Sequence, residues 1–486
     1  MSDAVQMIGL ETIAGLHGFV TRWRCLEPVG GELLYPRYGD ALLPAPFAKR
    51  VAVEATLRSG MEQPVRLEVN GFSGWCAALN GSPMEWQPLV PGWGNAFVGA
   101  LRRGENRLMI SIEPQEGPRR LGARVMRPDR ALLAGVQQVF SPPPDGLGGQ
   151  LRPGLSPLSD FLRLANQQCA LQFAPGTSWE AWHTTLRAEL DELLHVPPAP
   201  PSPEDHVVGV WEEDGYRRER HLLTVDEHGT QAPCWLLVPE HQNGATLLCL
   251  HGHGYTLGET VGVPGEPIAQ QREVMRDYNY DYARQAARRG YVAVTPDFRG
   301  FGERDDHEPS HRDPCDAYFL RLSQYGHNIV ALQLHDLRAL INYLGSRPEV
   351  DLSRLGCLGL SYGGRMTMYA TATDERIRAA VVSGALNCFR ERLVRNQSCG
   401  VQFVPGLLEF ADVPELLGLI APRPLFLELG CRDDTSPELF ASDLYHKLAQ
   451  TYAAANAHEN LALEIFEWGH RFHGVRCWPW LGERLR

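Results

Sequence analysis

The chain has 486 residues, 44% hydrophobic and 21% charged, the proportions of a soluble globular protein of two or three domains. Its formal net charge of -12, with no basic block to offset it, argues against nucleic acid and anionic membrane as partners. No apolar run reaches spanning length, and Met1–Gln6 lacks a basic n-region and an apolar h-region, so neither a membrane span nor a signal peptide is expected. Eleven cysteines without C-x-x-C spacing read as reduced thiols of a cytoplasmic protein rather than a zinc site.

Residues up to about 130 are β-rich. Alternating segments such as Val51–Leu57 and Val65–Val69 are divided by the turn signals Asn70-Gly71 and Asn80-Gly81, and Gly104–Ile112 closes the series. Ser141-Pro142-Pro143-Pro144-Asp145-Gly146-Leu147-Gly148-Gly149 reads as a linker. A helix then opens at Thr177–Glu180, where Thr177 and Glu180 have capping-box spacing. Trp179, Trp182, Leu186, Leu190 and Leu193 repeat at helical spacing and are expected to form a buried stripe, core rather than a binding platform. Pro197–Pro203 ends it.

From about Trp211 strands and helices alternate. Strands are expected at Ala232–Val238, Ala245–Leu250, Tyr291–Thr295, Leu355–Leu360, Ala379–Ser383, Leu425–Leu429 and Ala462–Trp468, and helices at Tyr278–Arg289, Asn328–Leu344 and Pro437–Ala455. Continuous apolar strands imply a sheet covered on both faces, hence the α/β class with a mostly parallel sheet. The expected organisation is a β-sandwich over 1–135, a connecting segment over 136–176, and an α/β domain over 177–486.

Four segments at expected strand ends carry reactive side chains. Gly359-Leu360-Ser361-Tyr362-Gly363 is a Gly-x-Ser-x-Gly turn between an apolar strand and a helix-prone segment, the pattern that exposes a serine above a sheet. Gly359 and Gly363 are needed because a Cβ there would meet neighbouring backbone. The others are His251-Gly252-His253-Gly254, Gly430-Cys431-Arg432-Asp433-Asp434 and Gly469-His470-Arg471-Phe472-His473. A serine hydroxyl needs an imidazole to take its proton, and the imidazole needs a carboxylate to fix its tautomer. The expected triad is therefore Ser361, a carboxylate from Asp433 or Asp434, and His470, with His473 as the competing base. The oxyanion donors are expected to be the backbone N–H groups of Tyr362 and His253.

These segments, with Pro296–Arg304 and Ala421–Leu425, resemble the dienelactone hydrolase, acetyl xylan esterase and prolyl-oligopeptidase branch of the α/β-hydrolases. The match runs from about Trp179 to His473, and its spacing, an acid three residues after Gly430, implies Asp433 as the triad carboxylate with Asp434 as the competitor. Residues 45–115 resemble a galactose-binding-like jelly-roll module, which implies a sandwich and not by itself a sugar site. The resemblance implies a serine hydrolase without metal or cofactor, acting on a small-molecule carboxylic ester such as an acylated sugar or metabolite. A peptidase, an amidase or a C–C bond hydrolase could use the same triad, although too few residues precede the domain for a propeller. From another class, a glycan-binding or scaffolding protein would be non-catalytic. A homo-oligomer is left open. His251 and His253 invite a metal reading, but in such loops the first histidine more often braces the oxyanion turn. Glu303 and Arg304 could reach the pocket rim or form ion pairs. The polar loop after Gly302 could cover the site or be solvated, and Cys399 carries no assignment.

Overall fold

The computed structural model describes residues 50–71, 74–112, 120–139, 167–253, 269–305, 312–395 and 398–486, with short pieces at 19–20, 23–27, 33–34, 41–42 and 164–165. The linker at 141–149 and most of the loop after Arg304 (306–311) lie outside them. The chain divides into two compact units, Met1–Gln168 with Pro437–Ser442, and Cys169–Ser436 with Asp443–Arg486.

The first unit is an all-β sandwich. Val51–Ser59 and Gly104–Ile112 pair antiparallel from Ser59–Gly104 to Val51–Ile112, and Trp75–Leu79 lies beyond Gly104–Ile112. A second sheet runs Ala123–Met126, Gln63–Val69, Asn95–Leu101, Glu85–Gln87. Val53, Leu57 and Ile110 from one sheet share a core with Leu67 and Phe97 from the other. The Asn80-Gly81 turn has both residues at positive φ, 53° and 82°, as a tight hairpin requires. Val136–Val139 pairs with Val51–Ser59, so the strand pairing continues past residue 135.

In the second unit, nine strands form one sheet: β1 (Glu204–Glu213), β2 (Tyr216–Thr224), β3 (Gln231–Pro239), β4 (Thr246–Leu250), β5 (Val292–Pro296), β6 (Leu355–Leu360), β7 (Ile377–Ser383), β8 (Leu425–Gly430) and β9 (Leu461–Phe466). Their spatial order is β1-β2-β3-β5-β4-β6-β7-β8-β9. The first three are antiparallel to their neighbours; β4 to β9 are mutually parallel. β4, β5, β6 and β8 are buried at every residue, as expected for strands covered on both faces.

Three expectations are corrected. Helix α1 (Trp179–Leu194) is capped by Ser178, whose hydroxyl accepts from Ala181 N, not by Thr177. Its buried stripe is Trp182, Leu186, Leu190 and Leu194; Trp179 and Leu193 are only half-buried. The helix expected at Tyr278–Arg289 is broken. One helix ends at Tyr278 and α2 (Tyr282–Ala287) follows, with Asn279 at φ 51°, a conformation asparagine tolerates. The break aims Tyr280 and Tyr282 at the end of β4, where Gly252 N donates to the Tyr280 hydroxyl and the Tyr282 hydroxyl donates to Leu250 O.

The β1–β2 hairpin was not expected. Val207, Val208, Val210 and Trp211 are all exposed on β1, and its register shifts between Val207 and Gly209. Trp211 folds back so that a Cβ on Gly209 would lie 2.4 Å from its ring, and the Arg218 guanidinium sits 4.6 Å from that ring.

The segment Pro296–Arg304 makes a buried ion-pair hub. Arg299 makes two 2.8 Å bonds to Asp336 on α4 (Ile329–Leu344), and Arg304 Nη1 lies 2.6 Å from Asp336 Oδ2. Burial pushes the Asp336 carboxyl up, but Arg299, Arg304 and His335 together bring it well below the usual carboxylate range. Removing one partner strands two buried cations. Asp336→Ala is expected to lose about 3–5 kcal/mol of unfolding free energy in urea titrations, and Arg304→Ala less.

Candidate active site

Ser361 stands between β6 and α5 (Tyr362–Thr373) at φ 62° and ψ -119°, a backbone conformation rare outside glycine. Crowding imposes it. A Cβ on Gly359 would lie 2.4 Å from Gly363 C, and one on Gly363 would lie 2.0 Å from Leu250 O. The Ser361 N–H donates to Ser383 O at 2.9 Å, tying the turn to the end of β7. The serine is thereby held at the carboxyl ends of β4, β6 and β7, where open α/β sheets bind ligands.

Asp433 follows β8, with its N–H bonded to Gly430 O at 3.0 Å. Its Oδ1 accepts from Thr435 N and Thr435 Oγ1 at 2.8 and 2.7 Å, and Oδ2 lies 2.7 Å from His470 Nδ1. Burial pushes this carboxyl up; the charge and hydrogen bond of His470 and the Thr435 donors outweigh it and hold the group below its ordinary value. Asp434 is exposed. His473 is turned elsewhere: its ring stacks on Phe466 at 4.2 Å, with Nδ1 3.1 Å from Glu464. Ser361 is brought to the same strand edge, but among the described residues no hydrogen bond joins its hydroxyl to His470.

His251 is fully buried with both nitrogens engaged. Nδ1 lies 2.8 Å from Gly252 O, and Nε2 accepts from Phe298 N at 3.0 Å. Burial lowers this imidazole to about 4, so it is neutral, and with both nitrogens bonded to backbone it braces the turn. A cavity of about 520 Å³ opens beside Ser361, lined among others by His253, Tyr362, Arg365, Cys399 and Thr435. Glu303 and Arg304 do not reach it; they pair with Arg220 and Asp336.

Sequence reasoning missed several wall residues. Asp313 and Asp316 arrive with α3 (Pro314–Ser323), a helix inside the stretch read as a polar loop. Asp313-Pro314, a helix-start signal, was the available clue. Cys315 on that helix faces Cys399, and together with His253 it holds the Cys399 thiol below its ordinary value. Arg365 is buried on α5; its Nη2 donates to Asn387 Oδ1 at 2.6 Å, and its guanidinium lies 4.5 Å from the Phe389 ring. Burial pulls it down to about 10.

Residues 274–404 match the model of the dienelactone hydrolase family. A solved Bacteroides fragilis protein, BF1801, a candidate acetyl xylan esterase, superposes with a TM-score of 0.54 at 20% identity, covering 65% of this chain and 83% of its own. This unit has the α/β-hydrolase fold. The candidate hydrolase YtaP of Bacillus subtilis is 25% identical over 247 residues, 49% of this chain and 77% of that protein. The polyketide transferase claH of Penicillium crustosum is 27% identical over 210 residues, 42% of this chain and 62% of that protein.

Beneath this site lies Glu428 on β8, fully buried. It accepts from Ser383 Oγ at 2.7 Å and from His473 N at 2.9 Å. Burial raises its carboxyl from 4.5 to about 7. A proton held in the folded state and lost in the unfolded one favours folding at low pH. Its contribution is full below about pH 4.5 and disappears as pH rises through about 7. Thermal midpoints between pH 5 and 8 are expected to fall more steeply for the wild type than for Glu428→Gln.

Proposed function

We propose that the chain is a serine hydrolase that cleaves a carboxylic ester of a small molecule, such as an acylated sugar or metabolite. The observation that carries this reading is the 2.7 Å contact of His470 Nδ1 with buried Asp433, at the same strand edge as a strained, glycine-flanked Ser361. With Nδ1–H donating to Asp433, Nε2 of His470 is the free base, which is the tautomer that attack by serine requires.

In this reading the Ser361 hydroxyl closes on His470 Nε2 as substrate binds, a contact often long before the Michaelis complex forms. Ser361 Oγ attacks the ester carbonyl while its proton passes to His470. The tetrahedral oxyanion takes the N–H groups of Tyr362 and His253, each donor worth about 2.7–4 kcal/mol. His470 returns the proton to the departing alcohol, leaving an acyl-Ser361. Water, deprotonated by His470, then releases the acid and restores the hydroxyl. Cytoplasmic placement belongs to the same proposal, supported by the described cysteines all being free thiols.

A fluorophosphonate is expected to add one label to the wild type and none to Ser361→Ala. Asp433→Asn is expected to lower kcat on a short-chain p-nitrophenyl ester about 10⁴-fold. His470→Ala should be as slow as Ser361→Ala, with His473→Ala much more active. Equal background rates for wild type and Ser361→Ala, or a dead His473→Ala beside an active His470→Ala, would refute the assignment.

A further inference from the structure

Two residues of the cavity wall, His253 and Cys399, meet the buried Cys315 in a group of side chains that the ester chemistry does not use. His253 Nε2 lies 3.1 Å from Cys315 Sγ and 3.4 Å from Cys399 Sγ, and the two sulfurs are 3.8 Å apart. Three elements supply them: the loop after β4, helix α3, and the turn at Cys399. We propose that His253, Cys315 and Cys399 form a three-ligand site for a borderline-soft divalent cation, zinc fitting best, with the fourth position open to the cavity beside Ser361.

The spacings support it. Zinc bonds of about 2.3 Å to sulfur and 2.0 Å to nitrogen set neighbouring tetrahedral ligand atoms roughly 3.5–3.8 Å apart. The three atoms already stand near the corners of one face of such a tetrahedron. The ligand set is also pre-positioned. Gly400 N donates to Asp316 Oδ1 at 2.8 Å, which ties the Cys399 turn to the helix bearing Cys315. A Cβ on Gly400 would lie 2.0 Å from the Phe319 ring, so that turn rests directly on the helix. A disulfide requires sulfurs about 2.05 Å apart and gives the imidazole no part. A cation uses all three groups. Binding converts both thiols to thiolates and releases their two protons to solvent, so affinity rises with pH.

The ligands exclude Ser361, Asp433 and His470, and the site shares with the ester reading only His253, whose backbone N–H serves there and whose imidazole serves here. Reduced full-length protein is titrated with zinc against a chromophoric chelator, and separately with cobalt. One zinc per chain is expected, together with a sulfur-to-cobalt charge-transfer band and the strong visible bands of tetrahedral cobalt. Cys315→Ser and Cys399→Ser should each weaken zinc binding at least about 100-fold, more than loss of an outer-sphere partner. Ser361→Ala is expected to bind as the wild type does, so metal binding and turnover fail separately. Circular dichroism checks folding; should a cysteine variant unfold, His253→Ala and the wild-type cobalt spectrum decide. Absence of stoichiometric binding, a cobalt spectrum without the sulfur band, or affinity unchanged in both cysteine variants overturns the site. So does reduced protein that binds no zinc and loses two hydrogens on mild oxidation, which would make the thiols a redox pair.

Discussion

The close approach of backbone to backbone beneath Ser361 is the constraint on which the rest of the second unit depends. Strand β6 meets helix α5 so tightly that Gly363 leaves no room for a methyl group against Leu250 O, and Gly359 none against Gly363. Substituting either glycine would force main-chain atoms apart, since no flexible side chain is there to yield. With that crossing closed, the polypeptide turns through a positive φ at a residue with a side chain, and the hydroxyl is presented at the strand edge. The strain is sustained because α5 is buried along its whole length and the Ser361 N–H is anchored on β7.

A second layer of order comes from polar groups buried under the strand ends. Asp336 gathers Arg299 and Arg304, His251 bridges two loops, and Glu428 reaches across to Ser383 and the His473 backbone. Such networks add little net stability when complete and are damaging when half-broken. Their effect here is geometric: the loops after β4, β5 and β9 are each fixed by directional bonds, so the groups they carry keep their separations.

Much of this was legible because the α/β region obeys local rules. Apolar runs marked β4 to β8 within a residue or two, and the glycines around Ser361 announced a crowded turn before any contact was known. Asp433 stands at the spacing from Gly430 that the resembling enzymes show, and the structure turns it toward His470. The failures have physical reasons. In the β1–β2 hairpin the apolar stretch of β1 is exposed and broken by Gly209, and β2 carries the charged run Arg217-Arg218-Glu219-Arg220, so neither shows a clean strand alternation, although Asp214-Gly215 at the tip is a turn signal. Helix α3 is only ten residues long and directly follows the polar stretch 305–313, which hides its start. Arg365, Cys315 and Cys399 acquire meaning only from neighbours distant in sequence, and no spacing rule links positions 253, 315 and 399.

The bulge at Val207–Gly209 matters for the solution behaviour of the molecule. An outermost ribbon with valines toward water is a template on which another chain could add strand after strand. Here the ladder is interrupted in mid-course by the bulge, while the Trp211 indole lies over Gly209 on the sheet face, 5.7 Å from the Trp235 ring. One misaligned residue thus blunts the outer edge against accretion.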